Sequence, residues 1–190
     1  RSDMVTPNNL LMRDMVSGTT ELVSKSSTGA QGDHRSDWPI VTPDGRFIAF
    51  SSEATNFATG DLNGARDVFV RDRLIGTTVI ASVDSFGIQG TDQSIASGIS
   101  DDGRFVAFWS AAPNLVPGDT NGVGDGFVHD MLTGSTERIS VSSTGAEGNN
   151  FSSAFSISSD GRFVLFSSPA SNLVSGDTNG LRDVFVRDRV

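Results

Sequence analysis

The sequence predicts an all-β fold, a β-propeller whose blades are four antiparallel strands. Three observations carry that expectation. The first is a repeat of fixed length: Asp44-Gly45-Arg46-Phe47 returns as Asp102-Gly103-Arg104-Phe105 and as Asp160-Gly161-Arg162-Phe163, each 58 positions further on. The second is that each period holds four strand-like runs separated by turn residues, with no helix start and no 3.6-residue apolar stripe. The third is that both alternating faces of the central runs are apolar, so each small sheet must be covered on both sides, as neighbouring blades cover one another.

Within the first complete period, strand A is read at Trp38-Pro39-Ile40-Val41. Asp44-Gly45 then supplies a hairpin turn, because Gly takes the positive φ that the turn needs. Strand B is Arg46 to Ser52, where Phe47 with Ala49 and Ile48 with Phe50 make both faces apolar. Strand C is Val68 to Arg73, and after Leu74-Ile75-Gly76 strand D runs from Thr77 to Val83. Between B and C lies a long polar stretch, Glu53 to Arg66, which makes this unit longer than the roughly 40 to 50 residues of ordinary propeller repeats. Connections of that length are usually functional, and the recurrence of Asn56 as Asn114 and Asn172 argues that this one is ordered.

The chain therefore reads as a single propeller segment over 1–190, with repeat units 1–58, 59–116 and 117–174 and a partial unit 175–190. Asp14, Asp72, Asp130 and Asp188 also keep the period, so Leu10-Leu11-Met12-Arg13-Asp14 is a degenerate fourth copy of strand C. Strands A, B and D then occur three times each and strand C four times, at 10–15, 68–73, 126–131 and 184–189. The expected architecture is about three blades plus a partial one, part of a six-bladed ring or of an open assembly. The first blade lacks A and B and the last lacks D, which leaves sheet edges for another chain, or more of the same chain, to cover. Two copies closing one ring and a head-to-tail filament are the assembly alternatives.

Composition narrows the partners. The net charge of −9 arises from 19 Asp and four Glu against 13 Arg and one lysine, Lys25, which disfavours a phosphate backbone, so no nucleic acid is expected. No apolar run approaches the ~20 residues of a membrane span. With no cysteine, neither disulfides nor thiolate metal sites are available. The start at Arg1, without an initiator methionine, suggests a mature or excised piece of a soluble protein.

The segments Ser-x-Asp-Gly-Arg-Phe-Val-x-Phe and Asn-Leu-Val-x-Gly-Asp-Thr-Asn-Gly-x-x-Asp-Val-Phe-Val-Arg-Asp, with Pro43-Asp44-Gly45-Arg46 at the A to B turn, resemble the TolB-like propeller repeats of secreted bacterial proteins. The resemblance covers essentially the whole chain. It implies a propeller, commonly six-bladed, located outside the cytoplasm on the cell surface, in the periplasm or in the medium, and used for binding or assembly. It transfers no reaction, because those repeats share no catalytic residues.

The candidate site is the B to C loop. Asp61, Asn63 and Asp67 recur as Asp119, Asn121 and Asp125 and as Asp177, Asn179 and Asp183. Two carboxylates and an amide oxygen, with a backbone carbonyl and waters, fit the six to eight oxygens that calcium prefers, so Ca2+ is the expected cofactor. Turn chemistry alone accounts for Asp-x-Asn-Gly, yet it accounts less well for an Asp at the mouth of strand C. The degenerate copy offers Asp3, Val5 and Asn9 and is expected to bind nothing. The recurring Arg46, Arg104 and Arg162 are expected to pair with the recurring Asp residues rather than to catalyse. His34 and His129 do not repeat, and His129 is expected on a strand surface; Trp38 and Trp109 are expected in the core. No nucleophile elbow, zinc helix or phosphate loop is present. The function expected from these residues is that of a non-enzymatic, extracellular, calcium-binding structural, adhesion or self-assembly module that takes a carbohydrate or protein ligand. The alternative is the propeller portion of a secreted hydrolase or lyase whose catalytic residues lie elsewhere.

Overall fold

The computed structural model describes residues 8–190, and every element in it is a strand. A leading half-blade pairs β1 (Leu11–Arg13) with β2 (Thr20–Leu22). The first full blade is β3 (Ser36–Val41), β4 (Phe47–Ser52), β5 (Asp67–Asp72) and β6 (Thr77–Ile80), paired in that order. The second is β7 (Ser94–Ile99), β8 (Phe105–Ser110), β9 (Asp125–Asp130) and β10 (Thr136–Arg138). The third holds only β11 (Ser153–Ile157), β12 (Phe163–Ser168) and β13 (Asp183–Asp188). All pairs are antiparallel. The 58-residue units divide between strands B and C, so each sheet takes its A and B strands from one unit and its C and D strands from the next.

Strand A differs from its expected form. It begins two residues earlier, at Ser36, and its ladder shifts register between Asp37 and Ile40, where Pro39 has no N–H to donate. The bulge holds Trp38 at φ 53° and turns its side chain outward, 59 % exposed, so the expectation of a core Trp38 is corrected. The same shift recurs between Ala96 and Gly98 and between Ala154 and Ser156. Trp109 is partly buried against Phe151, with ring centroids 5.8 Å apart, and occupies the space that a side chain at Gly124 would fill.

The core lies between sheets, as two-faced strands require. Val68, Val70 and Ala49 of the first full blade pack with Ile99, Val106 and Phe108 of the second, and Val128 and Ile139 of the second pack with Val164 and Phe166 of the third. Each fully buried Phe or Val in these layers contributes about 1.5–3 kcal/mol through burial. Where no further sheet of the described residues follows, the same face is open: Val184 and Val186 are 65 % and 66 % exposed, against 0 % and 5 % for their counterparts Val68 and Val70.

Polar contacts also join successive blades. Arg73 pairs with Glu21 of the preceding half-blade, and Arg189 with Glu137 of the second blade at 2.6 Å. At the intervening junction both partners change together, to Met131 and Val79, and Met131 packs on the apolar layer instead. Within the sheets, the cross-strand serine pairs Ser36–Ser52, Ser94–Ser110 and Ser152–Ser168 satisfy one another at 2.9, 2.9 and 3.1 Å.

Candidate functional site

The B to C loop folds locally as the sequence dictates. Asn63 Oδ1 accepts the N–H of Ala65 at 2.7 Å, Asn121 Oδ1 that of Val123 at 2.9 Å, and Asn179 Oδ1 that of Leu181 at 2.6 Å. These are side-chain turns, each of which engages one lone pair of the Asn oxygen. Each Asn amide nitrogen instead donates to the Asp four positions on: to Asp67 at 3.0 Å, to Asp125 at 2.9 Å and to Asp183 at 3.2 Å. Asn56, Asn114 and Asn172 tie the loop to the preceding D to A connection through the carbonyls of Gln31, Gln89 and Glu147.

Asp67 and Asp125 open strands β5 and β9 and are fully buried. One oxygen of each accepts a serine hydroxyl at 2.6 Å, from Ser82 and Ser140 respectively. What faces the other oxygen differs from loop to loop. In the first full blade Gln89 spans both acids, its amide nitrogen 2.8 Å from Asp61 and 2.7 Å from Asp67. In the second, Glu147 stands at the position of Gln89, so three carboxylates converge, with one oxygen from each of Asp119, Asp125 and Glu147 within 4.8 Å of the others. Arg138 enters there: it pairs with Glu147 and lies 3.6 Å from both Asp119 and Asp125. In the third, among the described residues, neither substitute is present, and Asp177 Oδ1 is buried without a hydrogen-bond partner. Asn9 accepts Gln31 at 3.2 Å, while Asp3 and Val5 lie outside the described residues.

Burial dominates the electrostatics of these acids. It pushes the Asp67 carboxyl up to about 6, although hydrogen bonds from Ser82 and Gln89 oppose it. Burial raises Asp125 too, and raises Asp119 with help from the neighbouring charge of Asp125. The donor chemistry, carboxylates with nearby backbone carbonyls and no nitrogen or sulfur ligand, is that of a hard divalent cation.

Sequence reasoning missed Gln89, Glu147, Arg138, Ser82 and Ser140. Gln89 and Glu147 each follow the loop's first Asp by 28 positions, and Arg138 replaces Leu22 and Ile80 in the same copy in which Gln becomes Glu. That paired change was the available signal.

The other recurring charges pair inside each blade. Arg46 meets Asp72 at 2.8 Å, Arg104 meets Asp130 at 2.7 Å and Arg162 meets Asp188 at 2.7 Å, each joining the start of strand B to the end of strand C. His129 corrects its expected surface position: it is 5 % exposed, with Nδ1 2.8 Å from Thr136 Oγ1, on the face of β9 that, with Phe127, packs toward the preceding blade. Exposed Trp38 and Phe155 line an open groove of about 310 Å3 along the A strands.

The sheets and their order define an open segment of a β-propeller. Its fold is that of the TolB-like propellers. TolB from Acinetobacter baumannii is similar over 97 % of this chain at 18 % identity and a TM-score of 0.53, and the match spans 36 % of that protein. The putative TolB from Agrobacterium tumefaciens is similar over 95 % at 17 % identity and a TM-score of 0.53, spanning 54 % of that protein. An oligogalacturonate lyase in complex with manganese is similar over 97 % at 13 % identity and a TM-score of 0.52, spanning 42 % of its chain. The chain thus spans roughly a third to a half of the proteins it resembles. No protein-family model matches it, and no curated protein is similar to it in sequence. Among the described residues no helix is long and apolar enough to cross a membrane.

Proposed function

We propose that this chain is a non-enzymatic, extracytoplasmic β-propeller scaffold that is stiffened by calcium at its B to C loops and associates through its open end blades. The observation that carries the reading is the charge left at each loop. Asp61 and Asp67 face a neutral Gln89, leaving two negative charges; Asp119, Asp125 and Glu147 less the one charge of Arg138 leave two; Asp177 and Asp183 again supply two. One divalent cation would balance each set, and the raised pKa values of Asp67, Asp119 and Asp125 mark charge that burial makes costly. Asp119, Asp125 and Glu147 would hold the ion in the second blade, with Arg138 kept beside them as the compensating charge. A non-catalytic role is supported by the engagement of the repeating Arg and Asp residues within blades, because reactive groups are singular whereas these recur. The extracytoplasmic placement rests on the resemblance to the repeats of secreted bacterial proteins.

Melting with calcium and with chelator tests the metal. Saturation at a hundredfold excess over the dissociation constant should add about 2.7 kcal/mol per occupied site through binding to the folded state alone. Asp119→Asn should remove one site from the calorimetric titration. Unchanged melting together with no heat of binding would refute the calcium reading. Light scattering tests association, and a stable monomer at high concentration refutes it.

A further inference from the structure

The second blade carries a cation of its own where the first blade has a hollow. Arg138 on β10 lies opposite Phe127 of β9, and Ile80 on β6 lies opposite Phe69 of β5, so the two side chains leave the same place in successive sheets. The Arg138 side chain is 9 % exposed; its guanidinium pairs with Glu147, lies 3.6 Å from both Asp119 and Asp125, and donates to the Gly118 carbonyl at 3.2 Å. Ile80 is shorter and carries no donor. Gln89 bridges Asp61 and Asp67 but is neutral, and among the described residues no basic side chain pairs with either acid. In front of Ile80 lies an open hollow of about 500 Å3 whose walls include Gly60, Asp61, Asn63 and Gln89, the counterparts of Gly118, Asp119, Asn121 and Glu147. Its rim is apolar: Leu62 and Ile88, 88 % and 59 % exposed, stand where the second blade has Thr120 and Ala146. A second hollow of about 760 Å3 shares Leu62 and Ile80 with the first and continues it past exposed Val79 to Ser27. The walls of both come from residues 26–91, with described sheets on either side.

We propose that the hollow at Ile80 receives an arginine side chain of a partner protein, presented on an extended segment with apolar residues on either side of it. The second blade shows the mode of binding, because Arg138 supplies from within the chain what the first blade would take from outside. Charge is complementary: the carboxylates of Asp61 and Asp67 would face the guanidinium, and its planar fork can address an acid and the Gly60 carbonyl together, as Arg138 addresses its acids and the Gly118 carbonyl. Lysine, a single point charge, would satisfy fewer of these acceptors. The flanking apolar residues would cover Leu62 and Ile88, and the trough beyond Val79 gives the segment a path along the blade. The inference rests on the same two charges as the calcium reading, so calcium and arginine would exclude one another at this loop.

The probe is the peptide acetyl-Leu-Arg-Leu-amide, with citrulline in place of arginine as its uncharged isostere, titrated into the isotope-labelled full chain in the absence of calcium. The expected result is movement of the Leu62, Ile88 and Gly90 amide resonances, with the citrulline peptide and free arginine each binding about tenfold more weakly. Ile80→Arg combined with Gln89→Glu rebuilds the second blade's set and should abolish binding. Leu62→Thr combined with Ile88→Ala, on the exposed rim, should weaken it while leaving the acids in place. Amides that do not move, a citrulline peptide that binds equally well, or binding that survives Ile80→Arg with Gln89→Glu overturns the proposal, whether or not calcium binds. Free arginine binding as tightly as the peptide overturns the partner segment. Calcium should displace the peptide; a peptide that binds as expected to a chain giving no heat with calcium refutes the calcium reading alone.

Discussion

His129 shows what one departure from the repeat does. Arg71 fits the equivalent place, buried and donating to the Ser26 carbonyl at 3.3 Å and the Gly76 carbonyl at 3.0 Å, so the site accepts a guanidinium by supplying acceptors for it. The shorter imidazole reaches only Thr136, and burial lowers its pKa below the usual value near 6.5. The unfolded chain therefore binds the proton first as pH falls. The stability this histidine contributes is full above about 6.5 and is lost as pH drops below it, because protonation favours the unfolded state. His129→Arg, which stays charged throughout, should lose less stability than wild type between pH 7 and pH 5. Chemical denaturation at stepped pH measures the difference; equal slopes for the two proteins would count against the buried neutral imidazole. The sequence marks position 129 as the odd copy. Its burial could not be read there, because that depends on the neighbouring sheet, which no local pattern describes.

Among the elements, the A to B turn shows how repeat identity encodes contacts between blades. Gly103 at φ 74° and Gly134 at φ 75° hold equally left-handed backbone, so alanine costs both about 1 kcal/mol. Space separates them: a Cβ on Gly103 would overlap the Phe47 ring of the preceding blade, whereas nothing lies within 4 Å of one on Gly134. Gly103→Ala should therefore be more destabilising than Gly134→Ala by about 1–3 kcal/mol, the usual cost of overpacking. Equal losses in urea melts would show that the ring contact contributes nothing. Strand types, their order and the open ends are legible in the sequence because Asp-Gly turns and two-faced apolar runs are local signals. The loop was only half legible. Its acids stand at fixed offsets, but Gln89 and Arg138 reach them from 22 to 28 and 13 to 19 positions away respectively, with identities that change between copies. Strand A was misjudged for a similar reason, since the bulge that exposes Trp38 belongs to the β3–β4 ladder and Pro39 is its only local sign.

For the whole molecule, the decisive fact is that the apolar layers lie between successive sheets, so stability grows blade by blade as in other repeat proteins. Phe50 and Phe69 are covered by the half-blade, and Phe108 and Phe127 lie in the layer between the two full blades. Among the described residues Phe185 has blade cover on one side only, and β1–β2 is a three-pair ladder in a two-stranded sheet. Local opening should accordingly be cheapest at the two ends. Native-state hydrogen exchange at low protein concentration should find amides of β5 and β9 exchanging slowest and those of β1, β2 and β13 fastest. Raising the concentration should slow exchange in β2 and β13 while leaving β5 and β9 unchanged, because docking of copies covers the ends alone. A profile that is uniform along the chain would refute the blade-by-blade account, since it would require the open ends to unfold only together with the layers between full blades.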